Sequence, residues 1–413
     1  MPLVTRLVRP LIACAVAAQY VALPLESLAA QTATRGSAAP VENILAPGVR
    51  YQQLRDPRGP WLVHVVRVDL RRAAVDVRAA RAHDQLRSRE KTTDMVQRAV
   101  TGGATVLAAV NSDFFELKSG ENENNQIIDG EWWKGVKVTD SPYDTYDNVH
   151  AQFGLDATGR PVLDRFIFDG KAWAHGTMVP IISINANPTG NPEGSALFTP
   201  RYGATTPRDT ARPTVEVALQ TAGRRGDTLL YRRQGSLSTV SGSAIPSDGA
   251  ILSAYGARAK ALESMADGDT VRVLLSTFPR PSRGVAPRTL IGGWPRILRN
   301  GVNVAADAAT MEGTISRNAE ARHPRTAVGF SRDSSTLFLL TVDGRSAQSV
   351  GMTIVELAEP MRQMGAWNAL NFDGGGSTTM VIHGRVVNTP SDPTGEREVG
   401  NALLIVKRPT GRK

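Results

Sequence analysis

In Asp373-Gly374-Gly375-Gly376-Ser377-Thr378-Thr379 one carboxylate, three consecutive glycines and three hydroxyls follow one another, between segments that alternate like strands. Three adjacent glycines lose much backbone entropy on folding, so such a turn needs positive φ angles or the close approach of another group. A phosphate-binding P-loop would require G-K-[ST] and a following helix, and neither is present. Two readings remain from the residues alone. One is a plain β-turn; the other is an anion nest of successive N–H groups, edged by Asp373 and by the hydroxyls of Ser377, Thr378 and Thr379.

Other chemistries lack their residues. His64, His83, His150, His175 and His383 show no paired spacing for zinc, and no H-E-x-x-H or G-x-S-x-G occurs. The acidic stretch Asn111–Asp129 has no EF-hand pattern, so no metal or cofactor is assigned. Cys14 is the only cysteine. It lies in the first thirty residues, where Arg6 and Arg9 precede an apolar run from Leu11 to Leu25 and a small-x-small site at Ser27-Leu28-Ala29. That pattern predicts a signal peptide over residues 1–30 and a secreted or periplasmic protein, without stable membrane insertion after cleavage.

The chain has 413 residues and a net charge of +9, with 41% hydrophobic and 21% charged residues. This is ordinary globular composition. Basicity favours acidic partners such as phosphate-bearing glycans, but no Lys/Arg block or aromatic-basic interleaving points to nucleic acid.

The elements that must position the glycine turn are legible nearby. Arg325–Gly344 reads as two alternating strands around residues 331–335. A helix then starts at the capping box Thr353/Glu356, aligns Ile354, Leu357, Met361 and Met364 on one face, and stops at Gly365, with Pro360 expected to kink or loosen it. Strands are expected at Asn368–Phe372, Thr378–His383, Arg385–Asn388 and Ala402–Lys407. Upstream, Trp61–Leu70 and Ala73–Ala80 read as paired strands, Thr92–Val100 as a short helix, Ala104–Phe115 as a strand opening into an acidic turn, and Ser119–Asp147 as irregular loop. His150–Leu163 reads as a hairpin turning at Ala157-Thr158-Gly159. Residues 31–48 form a flexible lead-in, 49–407 the folded domain, and 180–281 a β-rich insertion or subdomain. Strands outnumber helices, giving an α+β fold with a mixed β-sheet core and a few packed helices.

The C-terminal segment "LNFDGGGSTTMVIHGRVVNTPSD", with "RTAVGF", "TVDGRS" and "GMTIVELAEPMRQMGAWNALN" upstream, resembles the phosphodiester glycosidase family. The likeness extends to "AVNSDFFELKSGENENNQIIDGE", "HAQFGLDATGR", "INANPTGNPEGSALFTPRYGATT" and "IGGWPRILRNG", and so runs from about Val63 to Val406. Ser112 and Asp113 depart from it, standing where the family has two glycines in its Asn-Gly-Gly-Phe-Phe turn. Asp113 thereby adds a carboxylate that either supplies a metal ligand or caps a turn.

The resemblance implies cleavage of a sugar-1-phosphodiester on the glycosidic side, releasing free sugar and a phosphate monoester. An anionic phosphodiester must be oriented, and arginine forks match phosphate oxygens. Arg325 and Arg345, each beside a strand end in a matching motif, are the phosphate-binding candidates. A carboxylate must answer the positive charge developing at the anomeric carbon, as nucleophile or as base. Asp373 is the first candidate and Asp343 the second. Gly374, Gly375, Gly376, Ser377 and Thr378 complete the proposed substrate-binding turn, with Asn111 and Asp113 from the divergent turn and Arg397 either closing over the site or standing as a surface charge. His323 either shuttles a proton near the phosphate or is a solvated loop residue. A phosphoesterase breaking the P–O bond and a non-catalytic envelope glycan-binding protein are the rival readings.

Overall fold

Along the strand Thr336–Val342, Leu337 and Leu339 pack into one apolar cluster while Phe338, Leu340 and Val342 pack into another. The strand Asn401–Lys407 does the same, with Leu403 and Ile405 on one side and Ala402, Leu404 and Val406 on the other. Side chains alternate across a strand, so apolar residues at both parities require a layer on each face of the sheet. The computed structural model supplies those layers; it describes residues 42–140, 145–147, 150–187, 193–280, 287–313 and 320–409. The expected signal peptide lies outside the described residues.

An eight-stranded sheet and a five-stranded sheet pack face to face. Four helices are described: α1 (Thr92–Thr101), α2 (Ala259–Glu263), α3 (Ala308–Glu312) and α4 (Ile354–Gln363). α4 covers the outer face of the eight-stranded sheet with Ile354, Leu357, Ala358 and Met361, and α1 covers the outer face of the five-stranded sheet with Met95 and Val96. The Thr353/Glu356 capping box forms as expected: Thr353 Oγ1 accepts from the Glu356 N–H at 3.0 Å, and Glu356 Oε2 accepts from the Thr353 N–H at 3.0 Å. α4 runs through Pro360 to Gln363.

A third, 13-stranded sheet takes its strands from Gln126–Ile128 through Thr289–Gly292 and has its own apolar cluster. The β-rich texture expected from residue 180 thus begins earlier. Pairing is antiparallel in the eight- and five-stranded sheets, and the parallel pair, Ser183–Ile184 with Gly194–Phe198, lies in the 13-stranded one. Three local expectations are corrected. Glu42–Ala46, placed in the lead-in, is a strand paired with Val49–Asp56. Trp61–Asp69 and Val75–Arg81 are both strands but do not pair: the first joins the eight-stranded sheet and the second pairs with Asn401–Lys407. Ser119–Asp147, expected as loop, holds the strands Gln126–Ile128 and Glu131–Val136, whose Ile127 and Trp132 enter an apolar cluster, and the strands Val138–Asp140 and Thr145–Asp147, which pair with each other.

Register gathers the chemistry at one end of the sandwich. Arg325 pairs with Val342 and Ala327 with Asn371, so the start of one strand lies beside the ends of its two neighbours. In the facing sheet Val110 pairs with Met380, and Asn111 with Ala402. Strand ends far apart in sequence, followed by residues 112–114, 343–345 and 373–377, therefore converge.

Candidate active site

The cavity at this end has a volume of about 160 Å³ and is lined by Phe114, Trp294, His323, Arg325, Arg345, Asn371, Asp373, Gly374, Gly375, Gly376 and Arg397. Asp373 follows the strand Asn368–Asn371 and is anchored by its own N–H, which donates to Ser112 O at 2.8 Å. Its Oδ1 accepts from the Gly374 N–H at 2.8 Å. Burial pushes the carboxyl up to about 6, against the Ser377 hydroxyl, the Gly374 N–H and the charge of Arg397, all of which favour ionisation.

The glycines do not form the expected anion nest. The N–H of Gly374 is taken by Asp373, that of Gly375 donates to Pro324 O at 2.8 Å, and those of Ser377 and Thr378 donate to Gly374 O and Gly375 O at 3.1 and 3.3 Å. What the turn requires is close approach. A Cβ on Gly376 would lie 2.4 Å from Arg397 Nη2, and one on Gly375, where φ is +60°, would lie 3.0 Å from Arg345 Nη2. Two guanidinium groups lie against backbone that has no side chains to hold them off.

Each arginine is fixed differently. Arg325 is buried; its Nε donates to Met352 O at 2.8 Å and its Nη2 to Ala321 O at 2.7 Å. Burial lowers it to about 10, opposed chiefly by the charge of Asp373. Arg345 has φ +61°, an uncommon conformation for a residue with a side chain, and its Nη1 donates to Ser391 Oγ at 3.3 Å. Arg397 is paired by Asp392, with Nε and Nη2 both 2.7 Å from Oδ2. Its Nη1 reaches Ser377 Oγ at 3.5 Å.

His323 Nδ1 lies 3.3 Å from Arg345 Nη2. A guanidinium only donates, so this contact makes Nδ1 the acceptor and leaves the ring proton on Nε2. Burial, then the charges of Arg325 and Arg345, lower the imidazole and favour that neutral form. Nε2 and the neighbouring Asn371 Oδ1 are both buried without a protein partner. Buried polar atoms are ordinarily bonded, so two unpartnered ones beside one small cationic cavity mark it as a place for a polar guest.

Five expected site residues lie outside the cavity lining. Asp343 accepts from the Thr389 N–H at 3.0 and 3.1 Å and sits 3.7 Å from His64 Nε2, within a buried chain in which His64 Nδ1 meets Tyr51 Oη at 2.9 Å. It is buried outside the lining that Asp373 borders, so the structure does not bring the second catalytic candidate into the cavity. Asn111 is a clasp: its Nδ2 donates to Asp373 O at 2.7 Å, while its Oδ1 accepts from Thr326 Oγ1 at 2.7 Å and the Thr379 N–H at 3.0 Å. Asp113 accepts from Asn122 Nδ2, the Asn124 N–H and Asn124 Nδ2 at 3.0, 3.1 and 2.7 Å, so of its two readings the structure adopts the turn-capping one. Thr378 is buried, and its carbonyl accepts from Asn388 Nδ2 at 3.0 Å. Neither Asn111, Asp113 nor Thr378 has a side chain lining the cavity, which corrects their substrate-binding assignment. Ser377 lies beneath the turn, between Asp373 and Arg397.

Phe114, Trp294 and Asn371 join the cavity without having been expected there from residue type, although each lies in a motif quoted above. Asn371 shares strand parity with Asp373, and this was the available signal. Among the described residues, no three His, Cys, Asp or Glu side chains gather as a metal site. No helix among them is long and apolar enough to cross a membrane.

Residues 221–406 match the family model for phosphodiester glycosidases. Over 110 residues, 25% of this chain, the sequence is 36% identical to N-acetylglucosamine-1-phosphodiester alpha-N-acetylglucosaminidase from Mus musculus; the match spans 21% of that protein's length. Among solved structures, a hypothetical protein from Synechocystis superposes with a TM-score of 0.71 at 19% identity, over 90% of this chain and 64% of that one. A protein from Burkholderia pseudomallei K96243 superposes with a TM-score of 0.61 at 22% identity, over 84% and 74% of the two chains. These two likenesses establish a shared fold. Taken with the curated relatives, the family match makes residues 221–406, which carry Arg325, Arg345, Asp373 and Arg397, similar to phosphodiester glycosidases.

Proposed function

We propose that the protein is an exported phosphodiester glycosidase that hydrolyses the glycosidic C–O bond of a sugar-1-phosphodiester in an envelope or extracellular glycan. The observation that carries this reading is one carboxylate, Asp373, sharing a small cavity with Arg325, Arg345 and Arg397. The arginines hold the phosphodiester through charge-assisted hydrogen bonds and draw off the charge that develops on the departing phosphate. The His323 Nε2–H is a neutral donor at the same wall. Above about pH 6 Asp373 is ionised and acts on the anomeric centre, as nucleophile or as base for water. A phosphate monoester leaves readily without a strong acid. This accounts for a site in which Asp373 is the only carboxylate among the described lining residues.

The test is hydrolysis of a panel of sugar-1-phosphodiesters in ¹⁸O-labelled water. Label in the released sugar, with unlabelled phosphate monoester, is the expected result. Label in the phosphate would establish P–O cleavage instead, and binding without turnover across the panel would reduce the protein to a glycan-binding module.

A further inference from the structure

A second cavity, about 520 Å³, opens in the 13-stranded sheet and lies within the size range of small-ligand sites, roughly 300–1,000 Å³. Its floor is apolar: Ile184, Leu197, Leu229 and Leu275, with Trp132 beside them. Its charged lining is the reverse of the catalytic cavity's. Asp129, Glu131, Asp227 and Asp248 stand against Arg201 and Arg224, with Asp129 also paired to Arg78 from outside the lining, so the acids exceed the bases by one in a protein whose net charge is +9. Arg201 is already held by Glu131 at 2.9 and 2.8 Å, and Arg224 lies 3.8 Å from Asp227. An anion finds no uncommitted cation here.

Tyr231 lines this cavity and is 5% exposed. Its hydroxyl bonds no group of the described protein, and the only cause that raises its phenol, to about 12, is burial. Nor is that oxygen among the buried polar atoms without partners, so it keeps an accessible face. A phenol enclosed on nearly all sides usually finds a partner within the fold; this one is left for a guest.

We propose that this cavity is a binding subsite for a neutral saccharide. Such a ring offers an apolar C–H face to the leucine floor and hydroxyls that donate to carboxylates. Each carboxylate here keeps lone pairs beyond its present bonds, and Tyr231 Oη can donate or accept. The excess of acid disfavours the phosphate end of a substrate, so the two cavities sort a charged glycan by sign: phosphate at the arginines, neutral sugar at Tyr231.

The experiment is calorimetric titration of the full chain with cellobiose, maltose and N,N′-diacetylchitobiose, in the native protein and in Tyr231→Phe, Asp227→Asn and Arg345→Ala. Tyr231→Phe keeps the buried ring and is checked for an unchanged melting temperature. The expected result is saturable binding of at least one disaccharide. Tyr231→Phe weakens it about threefold to tenfold, the worth of one hydrogen bond; Asp227→Asn also weakens it, and Arg345→Ala leaves it unaltered. Absence of saturable binding, equal affinity in Tyr231→Phe and Asp227→Asn, or loss in Arg345→Ala would each overturn the subsite. Binding is measured without turnover, so it stands or falls independently of the ¹⁸O experiment.

Discussion

Asp343 and Asp373 occupy similar positions in sequence: each lies within two residues of the end of a strand of the same sheet, and each is followed by glycine. Their surroundings separate them. Asp343 receives one N–H, that of Thr389, shared between its two oxygens, and lies buried 3.7 Å from His64 Nε2, outside the arginine-lined cavity. Asp373 accepts from the Gly374 N–H and is favoured in its charged form by the Ser377 hydroxyl, yet it borders a cavity that three arginines share. A carboxylate buried away from any cavity lining of this site holds structure; one that borders a cationic cavity is available for chemistry. Asp113, occupied by three bonds from Asn122 and Asn124, belongs with Asp343.

The sharpest way to break that comparison is to neutralise both acids. Asp373→Asn is expected to lower kcat on a sugar-1-phosphodiester by about 10²–10⁴-fold, the usual range for a lost acid–base group. Asp343→Ala is expected to retain most of kcat but to lose about 1–3 kcal/mol of stability in a denaturant titration, because the part-buried Thr389 N–H is left without its acceptor. Comparable kcat losses in the two variants would erase the distinction.

Removing a phosphate-binding guanidinium should act on binding. Arg345→Ala is expected to raise KM about tenfold to a hundredfold, as for the loss of a hydrogen bond to a charged group, with a smaller change in kcat. An unchanged KM would take Arg345 out of the site. Gly376→Ala tests why the turn is glycine. The new Cβ would lie 2.4 Å from Arg397 Nη2, so the guanidinium must move, and KM should rise by roughly tenfold or less. Native kinetics in that variant would show that close approach of Arg397 is dispensable.

The pH dependence sharpens the same contrast. As nucleophile or base, Asp373 must be ionised, so kcat/KM should fall as pH drops through about 6. A profile flat from pH 7 to 5 would contradict that role. Stability should move the other way. The folded carboxyl holds its proton up to about pH 6 while the unfolded one releases it near pH 4, so the folded state binds more protons between these values and loses stability as pH rises through them. Asp373→Asn removes that penalty. The inactive variant should be the more heat-stable protein at pH 7, by at most about 3 kcal/mol after allowance for solvent in the cavity, with the difference closing below pH 4. A less stable variant at pH 7 would show that the Asp373 charge is structural, like that of Asp343.

The α4 capping box, the strands Arg325–Phe330 and Thr336–Val342, and the position of the glycine turn were legible in sequence because each depends on residues within a few positions of one another. In the stretch Ser119–Asp147 the strands Gln126–Ile128 and Glu131–Val136 depend on neighbours from distant segments, such as Leu290 opposite Ile127 and Ser183 opposite Val136, and these outweigh its polar composition. Trp61–Asp69 and Val75–Arg81 were correctly seen as strands but assigned to each other, since proximity in sequence says nothing about which sheet a strand enters.

The site divides along the same line. Sequence by itself determined that an acid, a glycine turn and several arginines lie at strand ends, and that they resemble a family that handles sugar phosphodiesters. Tertiary structure alone decided that Arg345 and Arg397 lie over Gly375 and Gly376, that His323 and Asn371 join them, and that Asp343, Asn111 and Asp113 are enclosed by the fold. The reason is physical. Residue type and local period fix an element and the face each side chain takes, whereas the antiparallel register of strands hundreds of residues apart fixes which strand ends meet. It thereby fixes which carboxylates find backbone N–H groups and which one is left facing a cavity.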